Sequence, residues 1–147
     1  MPLMNVFDIA GSGMNAQSLR LNTTASNMAN ADAASSSINQ TYRSRQPVFQ
    51  AVMEDAAGQY RGVGRSTDPN AIAKVRVLGV VESKAPVRSI HDPSHPLADA
   101  KGFVHYPNVN AVEEMANMIS ASRSYQSNVE VFNASKQMML RTLTLGQ

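Results

Sequence analysis

Large apolar residues recur with two different periods along this chain. From about Leu3 to Asn30, Phe7, Met14, Leu21 and Met28 stand seven residues apart, which places them in one stripe on a helix. Gly11, Ser18 and Ala25, each four residues further on, form a stripe of small side chains beside it. A large row next to a small row lets a second helix approach closely, and four such large side chains are worth on the order of 6–12 kcal/mol gross when fully buried. Nothing else in the segment offsets its ordering entropy, so this helix needs a partner.

The other end of the chain repeats the arrangement. Met118, Tyr125, Phe132 and Met139 are seven apart, and Met115, Ser122, Val129, Lys136 and Leu143 run beside them. Asn110 followed by Glu113 reads as a helix start of the capping-box kind, and Gly146 is a natural stop. About 35 residues at ~1.5 Å each predict a rod of roughly 50 Å, longer than a small globule is wide. The expected pairing is with the first helix, as an antiparallel coiled coil.

Between the helices the period shortens. Tyr42–Val52, Lys74–Val81 and Phe103–Tyr106 read as strands, separated by loop-like stretches at Asp32–Gln40, Glu54–Ala73 and Ala85–Lys101. The expected fold class is therefore mainly α with a small β module: residues 1–31 a helical arm, 32–107 a linker and small β/loop module, and 108–147 a second helical arm.

Composition sharpens this picture. Val, Leu, Ile and Phe make up only 31 of 147 residues, whereas Ala, Ser and Asn supply 47. A large autonomous core is not expected, and no apolar run approaches the ~20 residues a membrane span needs. The outer faces of both helical segments are just as telling. Residues 3–30 carry one acid and one base, Asp8 and Arg20, and 111–145 only Glu113, Glu114, Glu130, Arg123, Lys136 and Arg141. A solvated coiled coil is far richer in charge; these faces read as buried against helices of other subunits. A free helical hairpin serving as a cytoplasmic adaptor or scaffold is the competing reading.

Candidate chemistry changes little. The net charge of +2 is uneven, residues 43–88 summing to +4 and the rest to −2, yet that window offers only Phe49 and Tyr60 for base stacking, so nucleic acid is not an expected partner. His91 and His95 have helical metal-ligand spacing, but Pro93 and Pro96 forbid the helix, leaving a turn begun by Asp92. Gly62-Val-Gly64 lacks the Lys-Ser/Thr ending of a phosphate cradle. Glu113 and Glu114 fit favourable placement in a first helical turn. The absence of cysteine removes disulfides, thiolate nucleophiles and cysteine zinc sites. No catalytic, metal or cofactor site is expected. The start Met-Pro-Leu-Met-Asn-Val-Phe-Asp has neither the basic nor the apolar region of a cleavable signal.

Phe7-Asp-Ile-Ala-Gly-Ser, Arg20-Leu-Asn and Ser26-Asn-Met-Ala-Asn-Ala-Asp resemble the opening of bacterial flagellar rod and hook axial proteins. Tyr42-Arg-Ser-Arg-Gln-Pro-Val-Phe resembles the strand that follows in that family. Pro96–Gly102, Tyr106-Pro-Asn-Val and Ser120–Phe132 running on to Lys136–Gly146 are similar to its proximal rod members. Met28, where relatives usually carry Leu, the Ser-rich 32–40 linker and the variable-looking 54–73 stretch depart from the pattern. The chain has no room for the large middle domain of distal rod and hook members.

The resemblance implies a structural rod subunit in the basal body, exported unfolded through the flagellar type III apparatus and crossing the periplasm as part of the rod. It implies as partners other proximal rod subunits and further copies of itself, the MS-ring/rod junction protein, the distal rod protein and the export apparatus. The residues expected at assembly interfaces are Phe7, Gly11, Met14, Ser18, Leu21, Ala25 and Met28, with Met115, Met118, Tyr125, Val129, Phe132, Met139 and Leu143.

Overall fold

The computed structural model describes residues 2–54, 60–62 and 72–145. Its elements are α1 (Pro2–Ala29), β1 (Arg45–Glu54), β2 (Tyr60–Gly62), β3 (Ile72–Glu82), β4 (Arg88–His91), β5 (Phe103–Tyr106) and α2 (Ala111–Leu145). The fold is mixed: two long helices and two small sheets, one ordered β2-β1-β3 and one pairing β4 with β5. Both helices begin and end within a residue or so of where the heptads predict, and the stop expected at Gly146 lies outside the described residues. At the start of α2, Asn110 Oδ1 accepts the N–H of Val112 at 3.1 Å, the side-chain cap that its position foretold.

The chain divides into two compact units, and each helix contributes to both. The first gathers Met1–Leu19, Val48–Gly79 and Ser120–Gln147. In it Val52 of β1 is buried, together with Ala10, Ala16, Ala121 and Ser135 of the helices. β1 pairs antiparallel with β2 in the register Val52↔Gly62. β3 is tied to α1 by the N–H of Val75 donating to Ser12 Oγ at 3.2 Å and by a Lys74–Asp8 ion pair at 3.4 Å.

The second unit gathers Arg20–Pro47 and Val80–Ile119. Here β4 and β5 pair antiparallel, Arg88↔Tyr106 through His91↔Phe103, and Ser35 adds an isolated bridge to His105 on β5. Val104, on β5, is its most deeply buried large side chain. Gly102 precedes β5 with φ +80°, and a Cβ there would lie 3.1 Å from both His91 Nε2 and Pro93 Cγ, so this turn needs glycine.

Three expectations about the middle require correction. Ala85–Lys101 is not all loop, since it contains β4. The four residues Arg-Ser-Ile-His are all exposed and show no alternation to betray a strand; pairing with β5 makes them one. The first strand starts at Arg45 rather than Tyr42, because the Ser44 N–H goes to Asn108 Oδ1 at 2.8 Å, outside any ladder. Glu54–Ala73 is not all loop either: β1 runs to Glu54, β2 (Tyr60–Gly62) pairs with it, and β3 starts at Ile72, while the rest of that stretch lies outside the described residues.

Candidate assembly surfaces

Within the first unit the helices touch through a few specific contacts. The rings of Phe7 and Phe132 meet edge to face with centroids 4.8 Å apart. A Cβ built on Gly13 would lie 2.9 Å from the Asn128 amide, so the absence of a side chain at 13 is what admits Asn128. The most deeply buried helical positions are small: Ala10, Ala16, Ala121 and Ser135. Ser135 turns its hydroxyl back to the carbonyl of Val131 at 2.8 Å. Of the residues expected at interfaces, Phe7, Gly11, Met14, Ser18, Val129, Phe132 and Met139 are half-buried here, and Tyr125 and Leu143 are exposed. Open space surrounds the Cβ position of Gly11.

In the second unit the contacts are polar. Arg20 donates to Asn117 Oδ1 at 3.2 Å, and Asn27 donates to Glu114 Oε1 at 2.8 Å. Asn27, Thr23, Thr24, Thr41, Ser44 and Glu114 are all buried. Leu21, Met28 and Met118 are half-buried, while Ala25 and Met115 are exposed. Glu114 therefore does more than sit favourably in a first turn. The signal that could have revealed it is the row Glu114, Ala121, Asn128, Ser135, which repeats every seven residues with no large side chain.

The helices thus meet through small and polar rows, and much of their large apolar surface is uncovered. Val112 is 76% exposed and Leu143 63%, and Met4, Ile9, Met115, Ile119, Val131, Met138 and Leu140 are exposed as well. Those on α2 fall on several sides of that helix rather than on one. An isolated soluble chain gains nothing from so much wetted hydrocarbon, whereas an interaction surface does.

The middle segment offers no competing chemistry among the described residues. No group of three or more His, Asp or Glu is arranged to hold a metal ion. The His91 ring packs edge-on against Phe103, and His95 Nδ1 accepts the N–H of Leu97 at 3.1 Å. Asp92 accepts both the N–H and the hydroxyl of Ser94, which hold its carboxyl below the usual carboxylate range. Asp99 is shifted the same way, first by the Phe103 N–H. These contacts build turns. No described helix is long and apolar enough to cross a membrane.

Terminal helices with uncovered apolar sides, flanking a small β segment in the sequence, mark a structural subunit of a larger assembly. The comparisons say which. Residues 7–34 match the family described as flagella basal body rod protein, and residues 100–145 match flagellar basal body rod FlgEFG protein C-terminal. The chain is 52% identical to the flagellar basal-body rod protein FlgC of Salmonella typhimurium strain LT2 and to that of Escherichia coli O6:H1, over the whole of both chains in each case. It is 34% identical to the FlgC of Borreliella burgdorferi, over all of this chain and 99% of that one. The chain belongs to the FlgC family of flagellar basal-body rod proteins. It is a structural subunit of the flagellar basal body, and the cytoplasmic adaptor reading is set aside.

Proposed function

We propose that this chain builds the proximal rod by pairing α1 with α2 as an antiparallel coiled coil and stacking the pair on neighbouring subunits. Two contacts in each unit support the antiparallel sense: residue numbers rise along α1 from Phe7 to Gly13 as they fall along α2 from Phe132 to Asn128. The same holds from Arg20 to Asn27 against Asn117 and Glu114. The observation that carries the reading is the uncovered hydrocarbon on the helices, Val112 and Leu143 above all. Residues 1–31 and 108–147 act as the assembling arms, with 32–107 adding lateral contacts outside them.

Export proceeds unfolded through the flagellar type III apparatus, and the arms order on arrival, with neighbours supplying the burial that offsets their ordering entropy. Repeated heterologous contacts then extend a helical tube instead of closing a ring. The neighbours are other proximal rod subunits and further copies of this chain, with the MS-ring/rod junction protein below and the distal rod protein above. Torque passes across the periplasm through packed helices. A subunit-resolved map of the basal body tests this: Met115, Val112 and Leu143 should be covered by neighbouring chains, and finding them facing solvent overturns the reading.

A further inference from the structure

Asn27 is 1% exposed, and its side-chain amide is fully engaged. Nδ2 donates to Glu114 Oε1 and to the carbonyl of Arg45, each at 2.8 Å. Oδ1 accepts the Arg45 N–H and the Tyr42 hydroxyl, each at 2.9 Å. An amide has two donors and two acceptor lone pairs, and all four are matched. By binding both the N–H and the C=O of Arg45, the side chain takes the place of one residue of a neighbouring strand at the start of β1. Glu114 also accepts the Ser44 hydroxyl at 3.4 Å. Helix α1, strand β1 and helix α2, remote in sequence, close on this one group.

Its position matters because the apolar rows discriminate poorly between alignments. Phe7, Met14, Leu21 and Met28 against Met118, Tyr125, Phe132 and Met139 offer large, flexible side chains every seven residues, so a slip by one heptad exchanges like for like. The polar positions are not interchangeable. A slip one way sets Asn27 opposite Ala121 and strips Glu114 of its partner, leaving buried polar groups unmatched. A slip the other way sets Glu114 opposite Arg20, an alignment that charge attraction favours and that the Asn27 bonds oppose, together with the Arg20–Asn117 and Ser44–Glu114 bonds.

We propose that Asn27 and Glu114 set the heptad register of α1 on α2, as positioning residues for rod assembly. The inference rests on the antiparallel pairing above. The chain has no cysteine, so engineered pairs report without background. In rods assembled from the full chain, where both arms are ordered, G13C/N128C should close a disulfide in the present register, whereas G13C/A121C and G13C/S135C close only after a slip of one heptad either way. The parent should give the 13–128 product alone. Asn27→Asp, which faces one carboxylate with another, should raise the 13–121 product at least fivefold, and adding Glu114→Gln should reverse the rise. Glu114→Ala, which deletes only the bond between the helices, should also release the shifted products. If the parent forms none of the three, the antiparallel pairing itself is wrong. If the parent forms 13–128 and both variants keep it as their sole product, the pairing stands and the register role fails. Loss of all three products in both variants overturns that role too, because it marks residues needed for the fold and not for its alignment.

Discussion

Phe7 and Phe132 stand 125 positions apart in the chain, yet their rings meet at an interplanar angle of 76° with centroids 4.8 Å apart. This edge-to-face geometry aligns the positive rim of one ring with the negative face of the other, and is worth about 0.5–1.5 kcal/mol beyond the area buried. It joins two large rings in a unit whose buried helical side chains, among the described residues, are Ala and Ser.

Phe132→Asp should therefore uncouple the arms in that unit. The loss of packing and the approach of a carboxylate to Phe7 together cost about 2–4 kcal/mol, a large share of the stability of a small chain. Motility halos and counts of completed rods should fall sharply, while the amount of subunit secreted into the medium stays the same. Normal rods from this variant would mean that the contact is dispensable.

Gly13 separates packing from propensity. Gly13→Ala gains about 1 kcal/mol of helix propensity, and its new methyl meets only the end of the Asn128 side chain, which can swing away. The stability of assembled rods should change by under about 1 kcal/mol per subunit in chemical denaturation. Gly13→Leu cannot be accommodated that way and should cost about 1–3 kcal/mol. Asn128→Ala should recover part of that loss, and no recovery would show that the two positions do not compete for space.

The helices were legible in the sequence because both carry heptads and the start of α2 carries capping chemistry of its own. Asn110 caps, the heptads run between, and the bounds agree within a residue or so. The seam was less legible. Hydrophobicity points to the rows containing Met14 and Met118, yet the deepest positions are Ala10, Ala121, Asn27 and Ser135, which look like surface in a composition-based reading. Close approach of two helices needs small side chains, and alanine announces neither burial nor exposure. Asn27 and Glu114 were hidden for another reason: their burial depends on Tyr42, Ser44 and Arg45, and only tertiary structure brings that segment to them. β4 escaped because pairing with β5, rather than its own pattern, makes it a strand.

The loop before β5 should respond to acid. Asp99 accepts the N–H groups of Phe103 and Lys101, each at 2.8 Å, and lies 3.7 Å from His105 Nε2. The Phe103 N–H, then the Lys101 N–H and the charges of His105 and Lys101, hold its pKa below the ordinary 3.8 against a partial desolvation that raises it. A carboxylate depressed in the folded state contributes stability above its ordinary pKa, and that stability is lost as pH falls through the lower, folded value. Hydrogen-exchange protection of the Phe103 and Lys101 amides should be flat from neutrality to about pH 4 and then decline. Asp99→Asn should remove the pH dependence; an unchanged acid response in that variant would place its origin elsewhere.

The purified chain should show much less helix than the 28 residues of α1 and 35 of α2 when measured by circular dichroism at micromolar concentration. Isolated helices need a buried face to persist in water, and here the faces that would supply it are largely uncovered. Full helicity in a dispersed monomer would favour a self-sufficient hairpin over arms that order on assembly.

Met138 and Leu143 allow the assembling face to be tested apart from folding. Both side chains are exposed on α2, so Met138→Glu or Leu143→Glu should alter the stability of the isolated chain by no more than about 0.5 kcal/mol. Covered by a neighbouring subunit, the same carboxylate must be desolvated without a partner, which costs several kcal/mol at each repeated contact. Unchanged secretion and unfolding behaviour, combined with a failure to build rods, is the expected result. Lys136→Glu serves as the control for added negative charge on an already polar position; it should weaken assembly far less. Normal rods from Leu143→Glu would leave that side of α2 in solvent and move the interface to another face of the helix.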